Sequence, residues 1–75
     1  MLVEVYTKPG CPLCDEMIEL FEELDIGVAP VLHNIFERQE WFAAYRYRVP
    51  VVVIDGQDRL ELRFTLEQLK RALRE

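Results

Sequence analysis

Residues 50 to 54 read Pro-Val-Val-Val-Ile, a run with no polar side chain to turn toward water. Successive side chains of a strand point to opposite faces, so a strand of this composition has to be covered on both sides. It therefore belongs in the middle of a sheet. In a chain of only 75 residues that demand is severe, because so short a chain is near the lower end of what buries a core without staples. The 51% of hydrophobic residues must be used efficiently, and one domain spanning residues 1–75 is all they can build.

The surrounding sequence supplies the cover. "LVEVYT" (2–7) alternates β-branched and aromatic residues with others and stops before Pro9-Gly10, which reads as a buried strand ended by a turn. From Pro12 to about Asp25 the pattern is helical. At about 100° per residue, Leu13, Cys14, Met17, Ile18, Leu20, Phe21 and Leu24 share one arc, and Asp15, Glu16, Glu19, Glu22 and Glu23 the other. Pro12 suits the first helical position, and Gly27 is expected to end the helix. "VAPVLHNI" (28–35) reads as a second strand, with Pro30 implying an edge position or a late start. "ERQEWFAAYRYR" (37–48) reads as a helix anchored by Trp41, Phe42 and Tyr45; Pro50 bars its continuation and biases Val49 toward an extended conformation. Asp55-Gly56 turns the chain into "RLELRF" (59–64), where Leu60, Leu62 and Phe64 are expected inward and Arg59, Glu61 and Arg63 outward. Thr65 and Gln68 form a capping box before a last helix that gathers Leu66, Leu69 and Leu73 on one face. The order is βαβαββα. It predicts an α/β fold: a four-stranded mixed sheet flanked by helices on both faces, with a parallel, right-handed first crossover and a closing antiparallel hairpin.

Nine basic against fourteen acidic residues give a net charge of -5, which argues against nucleic acid as a partner. The chain runs from Met1 straight into "LVEVY", without a basic stretch and apolar signal core, and its longest apolar run is too short to span a bilayer. The expectation is a soluble, cytoplasmic protein with no membrane partner.

Cys11 and Cys14 are the chain's two cysteines. Bonded to each other they close almost no loop, so they make a poor staple. In a reducing compartment such pairs usually mean metal binding or redox chemistry. Here they sit where the first strand hands over to the first helix, Cys11 at the cap and Cys14 inside the first turn. Unpaired N–H groups and the partial positive charge of a helix N-terminus favour a thiolate, the attacking form. Cys11, expected in solvent, reads as the nucleophile. Cys14 lies in the apolar arc, with helical spacing bringing its sulfur back to Cys11, and reads as the resolving thiol. Lys8 adds positive field, which Asp15 and Glu16 oppose. The competing reading is metal ligation. A closed zinc site takes four ligands, and one chain offers two cysteines and the single His33, so a metal or iron–sulfur cluster would have to bridge two copies. His33 otherwise reads as a strand histidine with a local hydrogen bond, Trp41 and Tyr45 as core, and the acidic helix face as solvated.

"VYTKPGCPLC" (5–14), taken with "YRVPVVVIDG" (47–56) and the βαβαββα order, resembles the glutaredoxins, in particular the compact glutaredoxin-like proteins of the thioredoxin superfamily. The resemblance covers nearly the whole chain. It implies a thioredoxin-like fold, a cis Val49-Pro50 bond, and a Val49 backbone that pairs antiparallel with the substrate's cysteine. It also implies substrate contacts from Lys8, Pro12, Leu13, Pro50 and Thr65, with Arg48 or Arg46 as a second cation. Two positions depart from the glutathione-binding pattern: Leu13 stands where a tyrosine or phenylalanine is usual, and "RFTLEQ" (63–68) has no glycine pair leading into the last helix. The W-C-G-P-C of thioredoxins is absent as well. The implied activity is thiol–disulfide oxidoreduction with electron transport, acting on protein or small-molecule disulfides as a monomer without a tightly bound cofactor. Glutathione or a flavoprotein reductase would be the electron donor. The alternatives are a metal or iron–sulfur cluster binding module and a redox-blind adaptor.

Overall fold

The two faces of strand β1 (Val3–Thr7) carry different chemistry, Val3 and Val5 on one and Glu4 and Tyr6 on the other, and the helices divide accordingly. The computed structural model describes residues 1–24 and 27–74. After β1 come α1 (Pro12–Glu22), β2 (Val31–Asn34), a 3-10 turn (Ile35–Glu37), α2 (Gln39–Tyr45), β3 (Val51–Ile54), β4 (Gln57–Glu61) and α3 (Leu66–Arg74). The sheet has the order β2-β1-β3-β4. β1 pairs parallel with β2 and antiparallel with β3, which pairs antiparallel with β4. This is the βαβαββα thioredoxin-like fold expected from the sequence.

β3 is buried at every position, as its composition requires. Val52 and Ile54 join Val3 and Val5 in a core with Met17 and Phe21 of α1 and Leu69, Ala72 and Leu73 of α3. Val51 and Val53 join Tyr6 in a second core, against which Trp41, Phe42 and Tyr45 of α2 pack. Asp55 (φ 50°) and Gly56 (φ 82°) make the two-residue turn between β3 and β4, the left-handed pair that matches strand twist. The capping box forms: the Thr65 N–H donates to Gln68 Oε1 at 2.8 Å, and the Gln68 N–H donates to Thr65 Oγ1 at 3.1 Å.

Several boundaries differ from the sequence reading. α1 closes at Glu22, with Glu23 as its cap; the expected end near Asp25 lies outside the described residues, and Gly27 comes after the helix, in a left-handed conformation (φ 65°), rather than ending it. β2 begins at Val31, after Pro30, and is an edge strand. Ile35 leaves it for the 3-10 turn, where Asn34 caps by accepting the Phe36 N–H at 2.9 Å. α2 is shorter than expected because Glu37 belongs to that turn and Arg38 to Arg48 are divided among cap, helix and a closing turn. Pro50 precedes β3 rather than opening it.

The largest correction concerns the last hairpin. β4 runs from Gln57 to Glu61, and an irregularity opposite Val52/Val53 shifts its register, so the alternation expected over 59–64 is not followed. Phe64 is buried as expected, but Leu62 lies beyond the strand, exposed, with φ 60°. A two-residue turn consumes less chain than the sequence pattern suggested, so β4 starts before the clean alternation does.

Candidate active site at the start of helix α1

Gly10 (φ 68°) takes a left-handed conformation that glycine adopts freely, and this turns the chain from β1 into α1. Cys11 then occupies the N-cap in an extended conformation, with Pro12 at the start of the helix. The Cys11 Sγ accepts the backbone N–H of Cys14 at 3.2 Å, taking the role that an oxygen side chain usually fills at this position. The two cysteines are joined as a disulfide, with their Cα atoms 5.2 Å apart.

The pair lies in the second core, beside Tyr6, Ile35, Val49, Val51 and Val53. Cys14 is 1% exposed and Cys11 8%. Cys11 is thus not the solvent-lying cap that the sequence suggested: it is buried in the core that also holds Val49. The difference between the two sulfurs keeps its expected sign. Val49-Pro50 is a cis bond, as the glutaredoxin resemblance implied. Val49 is buried beside Cys11 and lies outside both ladders, since β3 starts at Val51. The carbonyls on either side of it, those of Arg48 and Pro50, both accept the N–H of Leu62, at 3.2 and 3.0 Å.

Lys8 is half-buried between β1 and the turn, Pro12 is exposed, and Leu13 touches both cores. Thr65 commits its backbone and hydroxyl groups to capping α3. Arg48 is engaged on several sides: it meets Asp58 at 2.8 Å and Glu61 at 3.1 Å, reaches the Ala44 carbonyl at 3.5 Å, and lies over the Tyr45 ring. Hydrogen bonding to Asp58 raises its pKa further. Arg46 stacks on the Phe42 and Tyr47 rings. The carboxylates that hold Arg48 were missed in the sequence. Asp58 and Glu61 sit where a hairpin normally shows water its charges, and only the register of β4 brings them to Arg48.

An aromatic group backs the site. The Tyr6 ring stacks on His33 at 4.8 Å, meets Tyr45 at 4.6 Å, and takes Trp41 edge-on at 5.3 Å. The His33 Nε2–H donates to Glu4 Oε2 at 2.9 Å. Burial pushes the phenols of Tyr6 and Tyr45 upward; the carboxylate of Glu4 adds to the first, and that of Asp58 to the second. Both should therefore ionise above the ordinary value of about 10 in a spectrophotometric titration. The sign for stability follows from proton counting. Above that value the unfolded chain has released protons that the folded one still holds, so stability is intact below about pH 10 and falls as pH rises through the folded values. Denaturation midpoints measured across this range test it; a midpoint that rises with pH there contradicts the assignment.

Comparison with known proteins agrees with this geometry. A protein from X. campestris, XcR50, solved by X-ray as a structural genomics target, superposes with a TM-score of 0.85 at 27% identity, covering 96% of this chain and 95% of that one. Glutaredoxin C1 from Populus tremula x tremuloides, crystallised in its holo form, superposes with a TM-score of 0.58 at 19% identity, covering 96% of this chain and 73% of that one, a likeness of fold. The family model described as "Glutaredoxin-like domain (DUF836)" matches residues 2–74. With nearly all of its length matched, and a C-x-x-C pair capping the helix that follows its first strand, the chain belongs to the glutaredoxin-like domain family.

Proposed function

We propose that the protein is a dithiol thiol–disulfide oxidoreductase, a reading carried by the placement of Cys11 Sγ at the N-terminal dipoles of α1, where it accepts the Cys14 N–H, with Cys14 more deeply buried. In the reduced protein those dipoles favour a Cys11 thiolate. The thiolate attacks one sulfur of a substrate disulfide, the other sulfur leaves as a thiolate that takes up a proton, and a mixed disulfide forms on Cys11. Cys14 loses its proton and attacks the Cys11 sulfur, releasing the second substrate thiol. Two electrons have passed to the substrate, and the protein ends in the Cys11–Cys14 disulfide seen here. The substrate's cysteine docks along Val49-Pro50; Val49 shares a core with Cys11 and precedes β3.

The protein works as a cytoplasmic monomer without a resident cofactor. Its substrates are disulfides in proteins in preference to glutathione, because Arg48 is already held by Asp58 and Glu61 and no glycine pair opens the start of α3. The electron donor is glutathione or a flavoprotein reductase. The test is direct. Pre-reduced protein mixed with a disulfide-bonded peptide should release both peptide thiols at a rate well above buffer, and each candidate donor, added with its NADPH-dependent reductase chain, should then be compared for turnover. Protein that is inert in exchange, and that comes out of anaerobic purification coloured with iron and sulfide, would instead be a cluster-binding module.

A further inference from the structure

We propose that Leu62 is a specificity-determining residue of this site, presenting an apolar surface to the side chain that neighbours the attacked cysteine of a protein disulfide. The inference rests on the exchange reading above and names the class of substrate that exchange serves. β4 ends at Glu61, and Leu62 follows with φ 60°, a left-handed conformation that residues with a Cβ avoid. Packing does not explain why a leucine is held there, because 43% of it is exposed. The backbone does the holding. Its N–H is shared between the carbonyls of Arg48 and Pro50, at 3.2 and 3.0 Å, the two that flank Val49.

The next residues tie the segment to α1. Arg63 Nη1 reaches Glu16 Oε1 at 3.4 Å, and the Phe64 N–H donates to Met17 Sδ at 3.3 Å. Residue 62 is therefore fixed between the Val49-Pro50 segment and the helix that begins at Cys11. Glycine would make the same two backbone bonds without steric cost. What leucine adds is an exposed apolar side chain next to the Val49-Pro50 segment. Unfavourable backbone conformations persist where the surroundings over-determine them, and they gather where ligands are met. The nearby arginines point the same way. Arg48 and Arg63 are each matched by carboxylates, so this surface favours an apolar neighbour over an anionic one.

The experiment uses pre-reduced full-length protein and three probes: two synthetic disulfide-bonded peptides identical except for leucine or serine beside the cysteine, and hydroxyethyl disulfide. Both peptides are neutral at the varied position, so the chain's net charge of -5 does not bias the comparison. Wild-type protein should react about tenfold faster with the leucine peptide, the worth of partly burying one such side chain. Leu62→Gly and Leu62→Asn, which both tolerate the left-handed conformation, should each bring that ratio to within about twofold of unity, and Leu62→Met should restore it. A purely structural role would slow both peptides together and leave the ratio standing, which overturns the proposal. A wild-type ratio near unity overturns it too, while the exchange reading survives as long as hydroxyethyl disulfide is reduced. If none of the three probes is reduced, the exchange reading falls and the inference with it.

Discussion

Cys14→Ser protein, reduced and mixed with a disulfide-bonded peptide, should stop at a covalent adduct on Cys11 and release only half of the peptide's thiols. The first attack needs only Cys11, whose sulfur caps α1; release needs a second thiol, and Cys14 is the chain's one other cysteine. The adduct should survive denaturation, disappear on treatment with excess dithiol, and map to Cys11 by mass. Cys11→Ser should bring exchange down to the buffer rate, since Cys14 is 1% exposed and behind the cap. The reverse pattern, an adduct on Cys14 in the Cys11→Ser protein and none in its counterpart, would exchange the two roles. With oxidised glutathione the Cys14→Ser adduct should form slowly and a protein disulfide should compete well, because Arg48 is occupied and Leu13 supplies no aromatic ring. Efficient single-cysteine deglutathionylation, saturating at low glutathione, would overturn that preference.

The second large effect is on stability. Leu69 of α3 is fully buried in the core that α1 and α3 share with Val3, Val5, Val52 and Ile54. Leu69→Ala should cost about 2–5 kcal/mol, the lost transfer energy of the removed atoms plus the cavity left behind. A chain of 75 residues holds roughly 4–11 kcal/mol in all, so this variant should lose a large part of its stability, read as a fall in the urea midpoint. Leu32→Ala on edge strand β2, where the side chain is 53% exposed, should stay within about 0.5 kcal/mol of wild type. Equal losses at the two positions would mean that the burial pattern described here is wrong.

How much of this was legible in the sequence depends on the range over which each feature is decided. The helix beginning at Pro12, the turn at Asp55-Gly56 and the box formed by Thr65 and Gln68 are set within a few residues, and each formed as read. The cysteine pair at a helix N-terminus belongs with them, because the Pro-Gly turn, the cap and the apolar arc are neighbours in the chain. Ends of elements were harder. α1 stops at Glu22 although residues beyond it continue the apolar arc as far as Leu24, and β2 waits until Val31, where β1 offers partners.

The surroundings of the cysteines were decided by tertiary structure. Val49 stands 38 residues along the chain from Cys11, and only the antiparallel pairing of β1 with β3 brings it into the same core. The same pairing covers Cys11, leaving 8% of a residue that local sequence placed in solvent. Arg48 reads as a free cation until the register of β4 delivers Asp58 and Glu61 to it. Leu62 reads as an inward strand residue until the register shift opposite Val52/Val53 breaks the alternation and the ladder closes at Val51 and Glu61, one residue before it. By itself, then, the sequence determined the order of elements, the apolar central strand and the cysteine-capped helix, since periodicity and capping act over one or two turns of chain. Tertiary structure alone decided which charges meet, how much of Cys11 remains open and which way residue 62 is turned, because strand register is a property of two segments at once and neither one carries it.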